Sequence, residues 1–223
     1  MQLAPKEQNF LPYRVVTSPG YGEYEEKKSR FLAHVFPVQS EEEAADRIEQ
    51  IRKKYYDARH NCTAFIIGRN KELTRCSDDG EPSGTAGKPM LEVLLSEDVT
   101  NVVVIVTRYF GGTLLGTGGL VRAYTQAVKE GLANAGKETM QYGVCLTMKL
   151  SYTDVGKVQY LLGNEQIPIE ASRYAENVEF DIRIPKELAE GIRKKLVEAT
   201  AGRIEIEQTG EGYYCTDGNH IPG

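Results

Sequence analysis

The 223-residue chain reads as an α+β protein of two domains, the second of them ferredoxin-like. Three observations predict this. Short apolar runs of strand character alternate with segments of helical period along the chain. The texture changes at Ala135-Gly136-Lys137-Glu138, which reads as a helix end and a short linker, so residues 1–137 and 138–210 form separate domains. Beyond that point the order is strand, helix, strand, strand, helix, strand, the split βαβ arrangement. Residues 211–223, polar with Gly and Pro, read as a flexible tail.

In the first domain, residues 13–17 and 21–38 are rich in β-branched and aromatic residues and are broken by Pro19-Gly20, which predicts extended strands with Lys27, Lys28 and Arg30 near one edge. Ser40-Glu41-Glu42-Glu43 then offers a capping box, with acid in the first turn where the helix dipole favours it. The helix runs to about Lys54 with Ala44, Ile48 and Ile51 as its apolar stripe. Residues 61–68 are apolar on both faces and predict a central strand. Residues 85–95 predict a second helix, with Pro89 near its start, where a missing N–H does no harm. Residues 101–107 form a near-continuous apolar strand whose two faces should both be covered. Residues 120–135 predict a long helix with Leu120, Tyr124, Ala127, Val128, Gly131 and Leu132 facing inward and Arg122, Gln126, Lys129 and Glu130 outward.

In the second domain the strands are residues 142–150, 167–174, 178–184 and 203–208, and the helices residues 153–164 and 186–199. Pro185 opens the later helix and Gly202 closes it.

Composition narrows the function classes. With 40% hydrophobic and 26% charged residues the chain reads as a soluble globular protein. Its longest strongly apolar run, residues 102–106, falls far short of the roughly 20 residues a membrane helix needs. The first ten residues include Lys6, Glu7, Gln8 and Asn9 and do not read as a signal peptide, so a cytoplasmic protein with no membrane partner is expected. Cys62, Cys76, Cys145 and Cys215 are scattered, form no CxxC pair, and are expected to be free and mostly buried. No metal ligand set and no cofactor motif is evident, and none is expected. The net charge of -5 is uneven, with 18 Lys+Arg against 18 Asp+Glu in residues 1–137 and 9 against 14 in residues 138–223. Any nucleic-acid surface on the first domain must therefore be a local patch.

Two segments carry the chemistry. In the first, Asp78, Asp79 and Glu81 form an acidic cluster just ahead of a helix start, followed by Lys88. In the second, Arg108-Tyr109-Phe110 precedes five glycines in nine residues (Gly111, Gly112, Gly116, Gly118 and Gly119) and then Arg122. Such glycines let a ligand approach the backbone, and the following helix offers unpaired N–H groups. A cation in a helix's first turn opposes the dipole, so Arg122 there suggests a nearby anion. The functional reading is phosphate or nucleic-acid backbone binding. The architectural reading is that Arg108 or Arg122 pairs with Asp78, Asp79 or Glu81 while the glycines allow tight packing. Thr117 stands where an NTPase loop needs its lysine, which disfavours nucleotide hydrolysis.

Lys27-Lys28-Ser29-Arg30-Phe31, then Ala58-Arg59-His60-Asn61-Cys62, then Ser77 through Pro89, then Thr107 through Tyr124 resemble, in that order, the signatures of the YigZ/YvyE/Impact family. The resemblance implies a first domain like the second domain of the fifth small-subunit ribosomal protein and a second domain like the last domains of elongation factor G. It also implies a translation-linked role. Eukaryotic members regulate initiation by binding the activator of an initiation-factor kinase, while bacterial members have suspected nucleic-acid binding.

The leading expectation is a non-catalytic binding protein contacting RNA or the ribosome. Its anion-binding residues would be Arg108, Tyr109, Gly111, Gly112, Gly116, Gly118, Gly119, Arg122, Lys88, Arg30 and Arg59, with Lys27 and Lys28 beside them. Tyr109 and Phe110 could stack on bases, although core positions are the competing reading and the favoured one for Phe110. The alternative is an enzyme acting on a phosphorylated small molecule at the same loop, with Asp78, Asp79 and Glu81 holding a metal or acting as base. A hydrolase built on Ser83 or Cys62 with His60 and Asp57 is disfavoured because no nucleophile elbow is present. For the acidic second domain a protein partner suits the charge better than phosphate.

Overall fold

The computed structural model describes residues 10–216, which fall into two compact units, one of Tyr13–Thr139 and one built on the chain from Met140 onward together with residues 10–12.

In the first unit β1 (Tyr13–Ser18) leads into the hairpin of β2 (Gly20–Glu26) and β3 (Ser29–Pro37), followed by α1 (Glu41–Lys54). Next come β4 (His60–Ile67), β5 (Leu73–Ser77), α2 (Gly87–Ser96), the two-residue β6 (Val99–Thr100), β7 (Val102–Tyr109) and α3 (Gly116–Ala133). The main sheet runs β2-β3-β7-β4-β5, antiparallel at every pairing. A separate parallel pairing joins β1 to β6.

β7 is the centre of this sheet, and its alternation assigns the layers. Val102, Val104 and Val106 pack into a core shared with Met90 and Leu94 of α2 and with Leu120, Tyr124 and Val128 of α3. Val103 and Ile105 face the other way, toward Ala44 and Ile51 of α1. Each of these β7 side chains is fully buried, a contribution of about 1.5–3 kcal/mol apiece. The expectation that both faces are covered holds. α1 begins where the capping box places it, with the Ser40 hydroxyl accepting from Glu43 N at 3.2 Å. The inward face assigned to the last helix is also correct, because all six residues named for it are buried.

Elsewhere the structure departs from the pattern. α3 starts at Gly116, earlier than the apolar period suggests, because its first turn is glycine-rich and carries no helical signal of its own. β5 and β6 escape sequence reading because one is a mostly exposed edge strand and the other spans two residues. The expected linker at residues 135–138 is instead the beginning of a 15-residue strand, β8 (Gly136–Leu150), along which the chain passes from one unit to the other.

The second unit continues with α4 (Val155–Asn164), β9 (Ile169–Tyr174), β10 (Val178–Pro185), a 3-10 turn (Lys186–Leu188), α5 (Ala189–Ala199) and β11 (Glu205–Cys215). The strand order is β11-β8-β10-β9, all antiparallel, which is the ferredoxin-like sheet. Its core joins Leu146, Met148, Phe180 and Ile182 of the sheet to Val158 and Leu162 of α4 and to Ile192 and Leu196 of α5. Residues 211–215, expected in a flexible tail, are strand: Tyr213 pairs with Tyr142 and Cys215 with Met140. Residues 217–223 of that tail lie outside the described residues. None of the four cysteines is in a disulfide, but only Cys62 and Cys215 are buried; Cys145 is half-buried and Cys76 exposed.

Candidate functional site

Arg108 lies one strand repeat beyond Val106, so it points into the α2/α3 layer at the end of the sheet. There the loop that precedes α2 closes over it. Its Nη1 donates to both carboxylate oxygens of Glu81, at 2.8 and 3.0 Å, and the two side chains are only 8% and 3% exposed. Glu81 also accepts from the Tyr124 hydroxyl at 2.8 Å. Burial, with Cys62 and Glu81 adjoining, raises the pKa of that hydroxyl and keeps it a donor. The Cys62 thiol sits 3.0 Å from the Asp78 carbonyl and 3.3 Å from the Tyr124 hydroxyl, and burial pushes its pKa up to about 12. Such a thiol is no nucleophile at neutral pH.

The other two acids are taken up in the same way. Asp78 accepts from the backbone amides of Gly84, Ala86 and Gly87 at 2.8, 3.0 and 2.8 Å and so supplies the start of α2 with a cap from a distance. Burial alone would raise its pKa; the amides of Gly84, Gly87 and Ala86 outweigh that and hold it below the usual range. Asp79 accepts from Asn61 N at 2.7 Å and from Arg52 at 2.9 Å. Asp78, Asp79 and Glu81, offered as metal holders or a base, are engaged by protein groups, and Arg108 pairs with Glu81 in the way the architectural reading describes. Among the described residues no group of three His, Cys, Asp or Glu is placed to hold a metal ion.

What remains open lies at the ends of β4 and β7. A cavity of about 610 Å³ is lined by Asp57, Arg59, His60, Arg108, Tyr109 and Phe110, with Ala58 and Leu114 completing it. Phe110 corrects the sequence reading, since it is 56% exposed rather than core. It falls just past the strand, where the alternation that buries its neighbours has ended. The Arg108 guanidinium sits between two rings, 5.5 Å from the centroid of Phe31 and 5.7 Å from that of Phe110. Tyr109 is half-buried and donates to Asp57 at 2.7 Å; burial and then that carboxylate push its pKa up to about 12. His60 Nδ1 lies 2.9 Å from the Asp79 carbonyl. A carbonyl only accepts, so in the neutral ring Nδ1 carries the proton and Nε2 is left as an acceptor. The Arg108 Nε is buried with no hydrogen-bond partner among the described residues.

Of the remaining predicted residues only Arg59 lines this cavity, and it is exposed. Arg30 pairs with Glu23 at 2.8 Å on the surface, and Lys88 is exposed in the first turn of α2. Arg122 is exposed but is the seventh residue of α3, in its second turn, so the dipole argument that marked it does not apply. The glycines divide. A Cβ on Gly111 would come within 2.1–2.4 Å of the Lys28 and Ser29 backbone, and Gly119 is buried against Leu115. Gly112, at φ +85°, and Gly116, at φ +70°, face open space, and beside Gly118 stands only the Arg122 side chain. Gly111 thus fixes the loop against the hairpin tip, where Lys27 and Lys28 are exposed and both left-handed, at φ 47° and 65°. The set of anion-binding candidates omits Asp57, His60, Phe110 and Leu114; the sequence offers Phe110 only as a stacking ring, and Asp57 with His60 only as part of a disfavoured hydrolase.

These features define a two-domain α+β protein with an internally wired first domain. Comparison with known proteins gives its kinship. The model of the Impact N-terminal domain matches residues 27–132, and that of a domain of unknown function, DUF1949, matches residues 148–203. The chain is 38% identical to IMPACT family member YvyE of Bacillus subtilis over 94% of this chain and 96% of that protein. It is 34% identical to IMPACT family member YigZ of Escherichia coli over 81% of this chain and 89% of that one. A crystal structure of a hypothetical protein, 32% identical, aligns over 87% of this chain and 96% of its own with a TM-score of 0.57. The chain belongs to the IMPACT family. None of its described helices is long and apolar enough to cross a membrane.

Proposed function

We propose that the chain is a translation-linked binding protein that contacts RNA, alone or in the ribosome, through the end of its first unit. The observation that carries this is the exposed Phe110 ring, backed by the Arg108 guanidinium, at the mouth of a cavity that also displays Arg59. A base stacked on such a ring gains about 1–3 kcal/mol, and a neighbouring guanidinium suits its phosphate. Exposed Lys27, Lys28, Lys88 and Arg122 are further cations of the same unit available to a nucleic-acid backbone. The acidic surplus of the second unit suits a protein partner. The alternative of an enzyme on a phosphorylated small molecule has no observation in its favour, since the carboxylates it needs are bound to protein groups.

Binding of fluorescent single-stranded RNA across salt concentration tests the reading. Affinity should fall with salt at a logarithmic slope of about -0.7 per phosphate contact, and Arg59→Ala should flatten the slope by about that amount. Absence of RNA affinity at low salt removes the proposal.

A further inference from the structure

Resting on that reading, we infer that the cavity at the ends of β4 and β7 holds one unstacked guanine base, with its phosphate on Arg59. The lining supplies three complementary elements. Phe110 offers an exposed ring held beside the Arg108 guanidinium, so a base finds a stacking partner already fixed in place. The polar wall is rich in acceptors: the Asp57 carboxylate, whose Oδ1 receives one proton from Tyr109 and keeps a second lone pair beside those of Oδ2, and His60 Nε2, which the Asp79 carbonyl leaves unprotonated in the neutral ring. Acceptors select a base edge that carries donors. Guanine alone has two adjacent donors, N1–H and the N2 amino group, on its Watson–Crick edge, a spacing that a carboxylate matches with both oxygens. Adenine and cytosine present one amino group there, and uracil only N3–H. Arg59 completes the set as an exposed guanidinium with no carboxylate partner among the described residues, free for a phosphate or for the guanine O6 and N7 edge.

The same chemistry could arrive on a free mononucleotide, so the experiment has two arms. In the first, the full chain at low salt is titrated into fluorescent single-stranded uridine hexamers carrying one central G, A, C or U. In the second, GMP and UMP are compared by thermal shift. The G-containing hexamer should bind about tenfold tighter than the all-uridine one, as one bidentate contact implies. Asp57→Asn should collapse that ratio to near unity, and Phe110→Ala should weaken all four hexamers. Equal affinity for the four hexamers, or a guanine preference that survives Asp57→Asn, overturns the assignment and leaves RNA binding in place. A thermal shift with GMP but not UMP, with no hexamer bound, supports the guanine site and overturns the RNA reading. No response to hexamers or nucleotides overturns both.

Discussion

Arg108 donates to both oxygens of Glu81 from a position where both side chains are buried, and the same carboxylate receives the Tyr124 hydroxyl. Removing one member of such a pair strands a buried charge. Arg108→Met should cost about 3–5 kcal/mol of unfolding free energy, and adding Glu81→Leu should recover more than half of it. Urea denaturation of the single and double variants measures this. A double variant no more stable than the single one would show that the pair stabilises by more than mutual neutralisation.

Asp78 caps three amides at once, so Asp78→Asn should destabilise by about 1–2 kcal/mol at neutral pH. Its folded-state pKa lies below the ordinary 3.8, so its contribution is complete above that value and is lost as pH falls through the lower folded value. The gap between wild type and variant in denaturant midpoint should therefore be full at pH 7 and should narrow only below about pH 4.

The thiols should separate by accessibility. Cys76 is exposed, whereas burial holds the Cys62 thiol near 12. A chromogenic disulfide reagent at neutral pH should modify Cys76 first and leave Cys62 and Cys215 unreacted until denaturant is added, with peptide mass mapping as the check. Fast labelling of Cys62 in the native protein would contradict its place in the buried network.

Two glycines a residue apart should respond differently. Gly111→Ala forces a Cβ into the Lys28 and Ser29 backbone and should cost about 2–3 kcal/mol, near the top of the overpacking range. Gly112→Ala meets open space and carries only the left-handed penalty, about 1–2 kcal/mol. Thermal melts of the two variants should rank them in that order.

The tight turn between β2 and β3 places lysines at two left-handed positions where Asn-Gly is the favoured pair. Lys27→Asn with Lys28→Gly relieves the left-handed penalty, offset in part by the conformational freedom glycine loses on folding, and should raise stability by about 0.5–1 kcal/mol and weaken RNA binding. A gain in stability with unchanged RNA affinity would remove the lysines from the proposed interface.

The layers were legible in the sequence because they rest on local period: β7 reads as buried on both faces, and the inner stripe of α3 is marked from Leu120 to Leu132. Partnership was legible only as one of two readings, with the pair itself unassigned. Arg108 and Glu81 are 27 residues apart, and their meeting depends on how the loop before α2 folds over the sheet end, which no local pattern encodes. Arg122 misled because Gly116, Gly118 and Gly119 hide the true first turn of α3. Phe110 misled because apolar type cannot tell a residue inside a strand from one just past its end. The second unit was read almost entirely from element order, and its one clear miss, residues 211–215, lies where a glycine-punctuated strand mimics a tail.

The close approach of Gly111 to the backbone of Lys28 and Ser29 has a practical use. The hairpin tip and the loop that carries Phe110 meet at close range, the Gly111 main chain lying against that of Lys28 and Ser29 and its N–H donating to the Ser29 hydroxyl at 3.1 Å. A fluorophore on a cysteine introduced at Lys27 would therefore act as an optical reporter of events at Phe110, sensing occupancy without a label on either the ring or the ligand.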